Sequence, residues 1–145
     1  MGIYLDGRTS QNASLANSMT TPILVGTEAL FGIVGLDASK ATTGDIRVAF
    51  NGTVAVQLPL PPVLTTVTIT VVRGTQQTGA TTVYTAEQQL SLQTVGPQLV
   101  TFSGAEFNVP KPVSGPLVYS AFISADVVGT IRVGPESFSA IATAG

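Results

Sequence analysis

From Thr20 onward the apolar residues recur with a period of two, the repeat of a strand whose side chains point alternately to opposite faces. Thr and Val fill these stretches, and both branch at Cβ, which suits a pleated, half-buried surface. Gly and Pro punctuate them at Gly26, Gly44, Pro59 to Pro62, Gly74, Gly79, Gly96-Pro97, Pro110 to Pro112, Gly115-Pro116 and Gly134-Pro135. No segment carries the i, i+3, i+4, i+7 stripe of a helix. Even Thr85 to Leu92, the stretch most open to that reading, keeps Tyr84, Leu90 and Leu92 on one parity. The pattern predicts strands over Ile23 to Val25, Ala29 to Leu36, Val67 to Val71, Val83 to Gln93, Gln98 to Ser103, Leu117 to Ser124, Thr130 to Val133 and Ser137 to Ala142.

Asp45 to Leu60 is the most informative stretch. Asn51-Gly52 is a strong hairpin signal, but a two-residue turn there would split the apolar row between two faces. Read straight through, Ile46, Val48, Phe50, Gly52, Val54, Val56, Leu58 and Leu60 share one side. A slip of one residue would move that whole row into water, so parity favours one long strand, bent or bulged at Gly52. A three-residue loop over Asn51 to Thr53 also keeps the parity. With this strand the chain has about eight or nine, at the spacing of two stacked sheets that each hide one face. The expected fold class is all-β, a jelly-roll-like antiparallel β-sandwich.

Ahead of this body, residues 7–21 are almost entirely Ser, Thr, Asn, Gln, Ala and Gly. So polar a lead buries too little to offset its ordering entropy, and it becomes ordered only when pinned against something, either its own domain or a neighbouring copy, the second being the sharper expectation. Residues 1–21 are therefore expected to form an extended N-terminal arm, and 22–145 the sandwich domain. Ile3, Tyr4 and Leu5 read as an anchor at the tip of that arm, docking on a neighbouring copy. The apolar run of three before Asp6 and Arg8 is too short for a secretory signal, and no window nears the ~18 apolar residues of a membrane span. Met1-Gly2 resembles the start of a myristoylation motif, but Asp6 stands where Ser or Thr belongs.

Composition removes whole classes of chemistry. The chain of 145 residues has no His, Cys or Trp, so disulfides, imidazole or thiolate metal sites and Ser–His or Cys–His nucleophiles are excluded. Charged residues make up 10%, with six basic against eight acidic for a net charge of −2. Six scattered cations give no footprint for phosphate backbones, so nucleic acid is not an expected partner. Asp37, Lys40, Asp45 and Arg47 form a local charge cluster, but not at the spacing of a calcium loop. Glu87, Glu106, Asp126 and Glu136 are dispersed singly. Asn12-Ala13-Ser14 and Asn51-Gly52-Thr53 match the glycosylation sequon by composition. Tyr119 sits in an apolar row and reads as core, and the loops Gly74 to Thr82 and Lys111 to Pro116, a candidate binding rim, lack aromatics. No catalytic residue, metal site or cofactor is expected, and the chain does not read as an enzyme. Outward strand positions must be Thr, Ser, Gln and Ala, a near-neutral exterior suited to packing against identical neighbours.

The succession TVTITVVRGTQQTGATTVYTAEQQL, VTFSGAEFNVPKPVSGPLVYSAFISA and IRVGPESFSAIATAG resembles small β-rich proteins of the spore coat, exosporium or spore-surface appendages of endospore-forming bacteria. The shared pattern is a β-branched strand ending in Arg-Gly, a Tyr-Thr strand start, a Pro-flanked turn before a Tyr-containing strand, and a final Gly-Pro followed by Phe. The likeness spans roughly residues 28–142. It implies a jelly-roll subunit that self-assembles on the spore without a signal sequence. Appendage subunits of that kind join through cysteines in an N-terminal connector; this chain has none, so its linkage would be non-covalent. The expectation is a structural subunit of an extracellular filament or spore-surface layer, with identical subunits as partners and no membrane insertion. The rival readings are a carbohydrate- or receptor-binding jelly-roll module and a virion capsid or decoration protein.

Overall fold

The computed structural model describes residues 2–41, 45–75 and 80–145. Gly44, Gly79 and residues 76–78 of the expected polar loop lie outside the described residues. Nine strands follow in order: β1 (Ile3–Ala13), β2 (Thr21–Pro22), β3 (Ala29–Leu36), β4 (Ile46–Gln57), β5 (Thr66–Arg73), β6 (Thr81–Gln89), β7 (Gln98–Val109), β8 (Leu117–Ala125) and β9 (Ile131–Ala144). One sheet runs β1-β9-β4-β7, with β2 also on β9, and the other runs β3-β8-β5-β6. All pairings are antiparallel. Setting aside two-residue β2, successive strands pass between the sheets except β5 and β6, which pair as neighbours in one sheet, and the whole has the nested Greek-key order of a jelly roll. The all-β sandwich is therefore the architecture.

Strand β4 lies between β9 and β7 and runs unbroken for 12 residues. Ile46, Val48, Phe50, Gly52, Val54 and Val56 face the interior, as parity required. The bulge expected at Gly52 is absent. Register shifts fall instead between Ile46 and Val48 against β7, and between Val54 and Val56 against β9. Gly52 answers a different need. A Cβ there would lie 2.5 Å from Cζ of Phe102 and 2.8 Å from the Ser137 carbonyl oxygen. At Gly104 on β7 a Cβ would meet the Phe50 and Tyr84 rings at 2.7 Å. These positions admit a cluster of Phe31, Phe50, Tyr84, Phe102, Tyr119 and Phe138, with ring centroids 5.6 to 6.2 Å apart. Edge-to-face and offset contacts of this kind add to the area that the rings bury.

Elsewhere several expected boundaries move. The expected strands 130–133 and 137–142 are one strand, β9. Val54 and Val56 pair with Glu136 and Arg132, so Val133 to Pro135 bulge opposite Ala55 alone and pairing resumes beyond them. Strand β7 continues past Ser103 to Val109. At Ile23 to Val25 no strand forms: β2 stops at Pro22, Ile23 is buried, and Leu24 and Val25 are exposed.

The largest difference concerns the beginning of the chain. Ile3–Ala13 does not stand off from the sandwich; it is an edge strand of the larger sheet, paired along β9 from Ile3↔Ala144 to Ala13↔Glu136. In the single chain β1 therefore belongs to the larger sheet, although it precedes the boundary expected after residue 21. A polar segment orders here because its backbone groups complete the ladder of β9.

Replacing Gly52 by Ala forces a methyl group into the Phe102 ring and the β9 backbone. Gly52→Ala is expected to lower unfolding free energy by about 1–3 kcal/mol, the usual range for overpacking, read as a fall in urea midpoint with an unchanged m-value.

Candidate functional site

Strand β1 carries the residues singled out as an anchor, and the structure divides them. Leu5 is buried, with 9% of its surface exposed, and joins the core. Ile3 and Tyr4 are 50% and 64% exposed. A register shift between Tyr4 and Asp6 turns Leu5 inward. Leu5 is the one fully buried residue of the eleven in β1, so side-chain packing contributes little to holding this strand.

Polar tethers hold the rest of it. Asp6 accepts the backbone N–H of Asp37 at 2.8 Å, that of Gly7 at 2.9 Å and Nε of Arg8 at 2.9 Å. The Asp37 amide, then the Arg8 guanidinium, hold the Asp6 carboxyl below its ordinary value of 3.8. Further along, Ser10 Oγ accepts the Ile33 N–H at 3.2 Å. Near the end of the strand, Asn12 Nδ2 donates to Glu136 Oε1 at 2.5 Å.

Glu136 is fully buried and Arg132 nearly so. Arg132 Nε donates to Glu136 Oε2 at 2.9 Å, Nη2 to Glu136 Oε1, and Nη2 also to the Leu30 carbonyl of β3 at 3.5 Å. The group thus ties β1 to β9 and reaches the opposite sheet. A second clasp crosses the sandwich farther along. Glu106 of β7 accepts Arg73 Nη1 of β5 at 2.7 Å and the Tyr119 hydroxyl of β8 at 3.0 Å. Burial, then the Glu106 carboxylate, push the Tyr119 phenol well above its ordinary value, so it stays protonated and donating. Of the carboxylates dispersed in sequence, Glu106 meets donors from the opposite sheet, and Glu136 meets Arg132 of its own strand and Asn12 of β1.

Other sequence candidates separate. Asp37 accepts the Ser39 N–H at 2.9 Å, and the Ser39 hydroxyl, then this N–H, lower its carboxyl from the ordinary value. Among the described residues no three carboxylates converge to hold a cation. The two expected rim loops do meet. Arg73 to Thr75 and Pro110 to Val113, with Pro116 to Val118, line a depression of about 440 Å³. Its cations are engaged: Arg73 holds Glu106, and Lys111 Nζ donates to the Ser39 and Ala41 carbonyls at 3.1 and 2.9 Å. Of the sequon asparagines, Asn12 binds Glu136 and Asn51 accepts the Ser139 hydroxyl at 2.9 Å. Tyr119 is core, Tyr84 packs on Phe50 and Phe102, and Tyr4 is exposed. The Arg132–Glu136 pair had a signal in the sequence: both share even parity with Phe138, Ala140 and Ala142, the inward row of β9.

No family model matches the chain, and no curated protein matches it. Solved structures do. A chain of the T13 viral particle of infectious bursal disease virus is similar at 13% identity and a TM-score of 0.50, over 95% of this chain and 35% of that one. The Eiger TNF of S. frugiperda is similar at 13% identity and a TM-score of 0.40, over 97% of this chain and 90% of that one. The present chain thus spans about a third of the viral chain, and the viral likeness is one of fold. Among the described residues no helix is long and apolar enough to cross a membrane.

Two tests follow from the tethers. Arg132→Met leaves Glu136 buried without its cation and is expected to cost about 3–5 kcal/mol; adding Glu136→Gln should recover part of that loss in urea unfolding. Asp6, with its value lowered by folding, stabilises above pH 3.8, and that contribution disappears as pH falls through its lower native value. Amide exchange at Asp37 should accelerate over that acid range relative to core amides, and Asp6→Asn should flatten the dependence.

Proposed function

We propose that this chain is a structural, non-enzymatic subunit. It assembles with identical copies, without covalent links or cofactors, into an extracellular filament or spore-surface layer. The observation that carries this reading is β1: an eleven-residue edge strand with one buried side chain, joined to the domain through residues 14–20. A strand held by its backbone ladder and a few polar tethers can be exchanged, because every copy offers the same β9 edge. Exchange with a neighbour reproduces all of the native contacts and extends from copy to copy where the geometry does not close. The anchor formed by Ile3, Tyr4 and Leu5 then acts between molecules rather than within one, with Leu5 filling the neighbour's core. The interior acids support the same reading, since Glu106 and Glu136 serve as clasps within the sandwich. The spore-surface resemblance of the sequence points the same way.

A second reading, a shell-forming virion protein, is favoured by the fold likeness to the infectious bursal disease virus particle. Both readings predict assembly; the shape of the assembly separates them.

A covalent lock tests the exchange. Thr9 and Ser139 are opposite each other in the β1–β9 register, and the chain has no other Cys. The wild-type chain is expected to form fibres or sheets under the electron microscope. Thr9→Cys/Ser139→Cys, oxidised at high dilution and isolated as the chain cross-linked within itself, should form none, and dithiothreitol should restore them. Closed shells would favour the virion reading. Assemblies that persist in the locked chain, or a wild-type chain monomeric at every concentration, would overturn the exchange.

A further inference from the structure

Two open sheets leave four edges, and each edge strand presents a row of backbone groups that another chain can pair with. Among the described residues the long edge strands are β1, β3, β6 and β7, and three of them are blunted. Strand β1 has two register shifts and carries Asp6 and Arg8. Strand β3 has a register shift, its Ile33 N–H donates to Ser10 Oγ, and its Leu30 carbonyl accepts Arg132 Nη2. Strand β6 has a register shift against β5 and exposes Glu87. Strand β7 has none of these devices along Gln98 to Glu106, where it pairs with β4 in unbroken register. It contains no Pro and no cation, and its one acid, Glu106, is held by Arg73 and Tyr119. The strand facing it across the sandwich, β6, packs Tyr84 inward on Phe50 and Phe102, away from that edge.

The side chains of β7 select the occupant. Leu99 and Phe107 are 63% and 74% exposed, on the outward row that also carries Thr101, Ser103 and Ala105. Directly opposite residues of an antiparallel pair share a face, so a second β7 must set outward residues against outward residues. Placing Ser103 opposite its own copy does this about a two-fold axis. Thr101 then meets Ala105, and Leu99 meets Phe107 on both sides of the axis. A shift of two residues either way parts both Leu99–Phe107 pairs. Pairing with β1 would instead bring Asp6 and Arg8 to the seam. Like charges do not oppose the β7 pair. Glu106 lies three residues from Ser103, and Glu87 three from Tyr84, whose ring packs on Phe102 near the axis. Each acid is therefore about 20 Å along the strands from its own copy, twice the ~10 Å screening length at 0.1 M salt.

We infer that β7 pairs edge to edge with β7 of a second copy, in the register centred on Ser103. The inference rests on the self-assembly reading above and deepens it. Strands β1 and β7 are opposite edges of one sheet, so exchange at one edge and pairing at the other proceed together and carry that sheet from copy to copy.

The internally cross-linked Thr9→Cys/Ser139→Cys chain isolates the new contact, since its β1 is not exchangeable. By light scattering it is expected to be a dimer. Adding Leu99→Lys and Phe107→Lys sets like charges opposite each other twice and should weaken that dimer at least about tenfold. Leu99→Lys with Phe107→Glu sets opposite charges at the same places and should restore most of it. Ser103→Cys in the otherwise wild-type chain should oxidise to a covalent dimer, because opposite Cα atoms of antiparallel strands are about 4.5–5.5 Å apart. Ala105→Cys alone should not, its copy lying about 14 Å away, but it should cross-link to Thr101→Cys. A dimer indifferent to Leu99→Lys/Phe107→Lys, or one that Leu99→Lys/Phe107→Glu does not restore, would overturn the inference. So would Ser103→Cys that stays uncross-linked, or that joins Thr9→Cys rather than itself. If the locked chain is monomeric while the unlocked chain still forms fibres, the self-assembly reading stands and the β7 contact falls. If neither chain assembles, both fall.

Discussion

Strand β4 keeps one face dry along its whole length and pairs on both sides, and the two sheets share an interior only while that holds. The constraint is met at Gly52, where the Phe102 ring and the Ser137 carbonyl occupy the space a side chain would take. With that slot open, the aromatic cluster closes between the sheets, and Phe50 touches Tyr84, Tyr119 and Phe138. The register of β9 and β7 on either side of β4 follows, and through β9 so does the edge on which β1 lies.

The few charges of this chain are spent in an unusual way. Two carboxylates, Glu106 and Glu136, act inside or near the inside of the sandwich, each matched by an arginine and one neutral donor. Such pairs stabilise weakly when formed but are costly to break, so they favour one alignment of the two sheets over slipped ones. The exposed charges, among them Arg8, Asp37, Lys40, Arg47, Glu87 and Asp126, are spread thinly over an exterior of Thr, Ser, Gln and aliphatic residues.

How much of this was legible follows from where each feature is encoded. Period-two alternation is local, so β3, β5 and β8 were readable to within a residue or two; in β4 parity overrode the Asn51-Gly52 turn signal correctly, but the strand stops at Gln57 and leaves Leu60 exposed. The fate of the first residues was not readable, because β1 is ordered by the free edge of β9, some 130 positions away, rather than by its own apolar content. Asn12 meets Glu136, and Glu106 meets Arg73 and Tyr119, for the same reason: the fold creates those pairs, and nothing nearby in the chain announces them.

Antiparallel pairing places Ile3 beside Ala144, so the first and last strands begin and finish together at one end of the sandwich. A load pulling those two points apart meets the β1–β9 bonds one after another, as in opening a zipper, rather than all at once in shear. The strand therefore peels under small force and re-forms when the force is released.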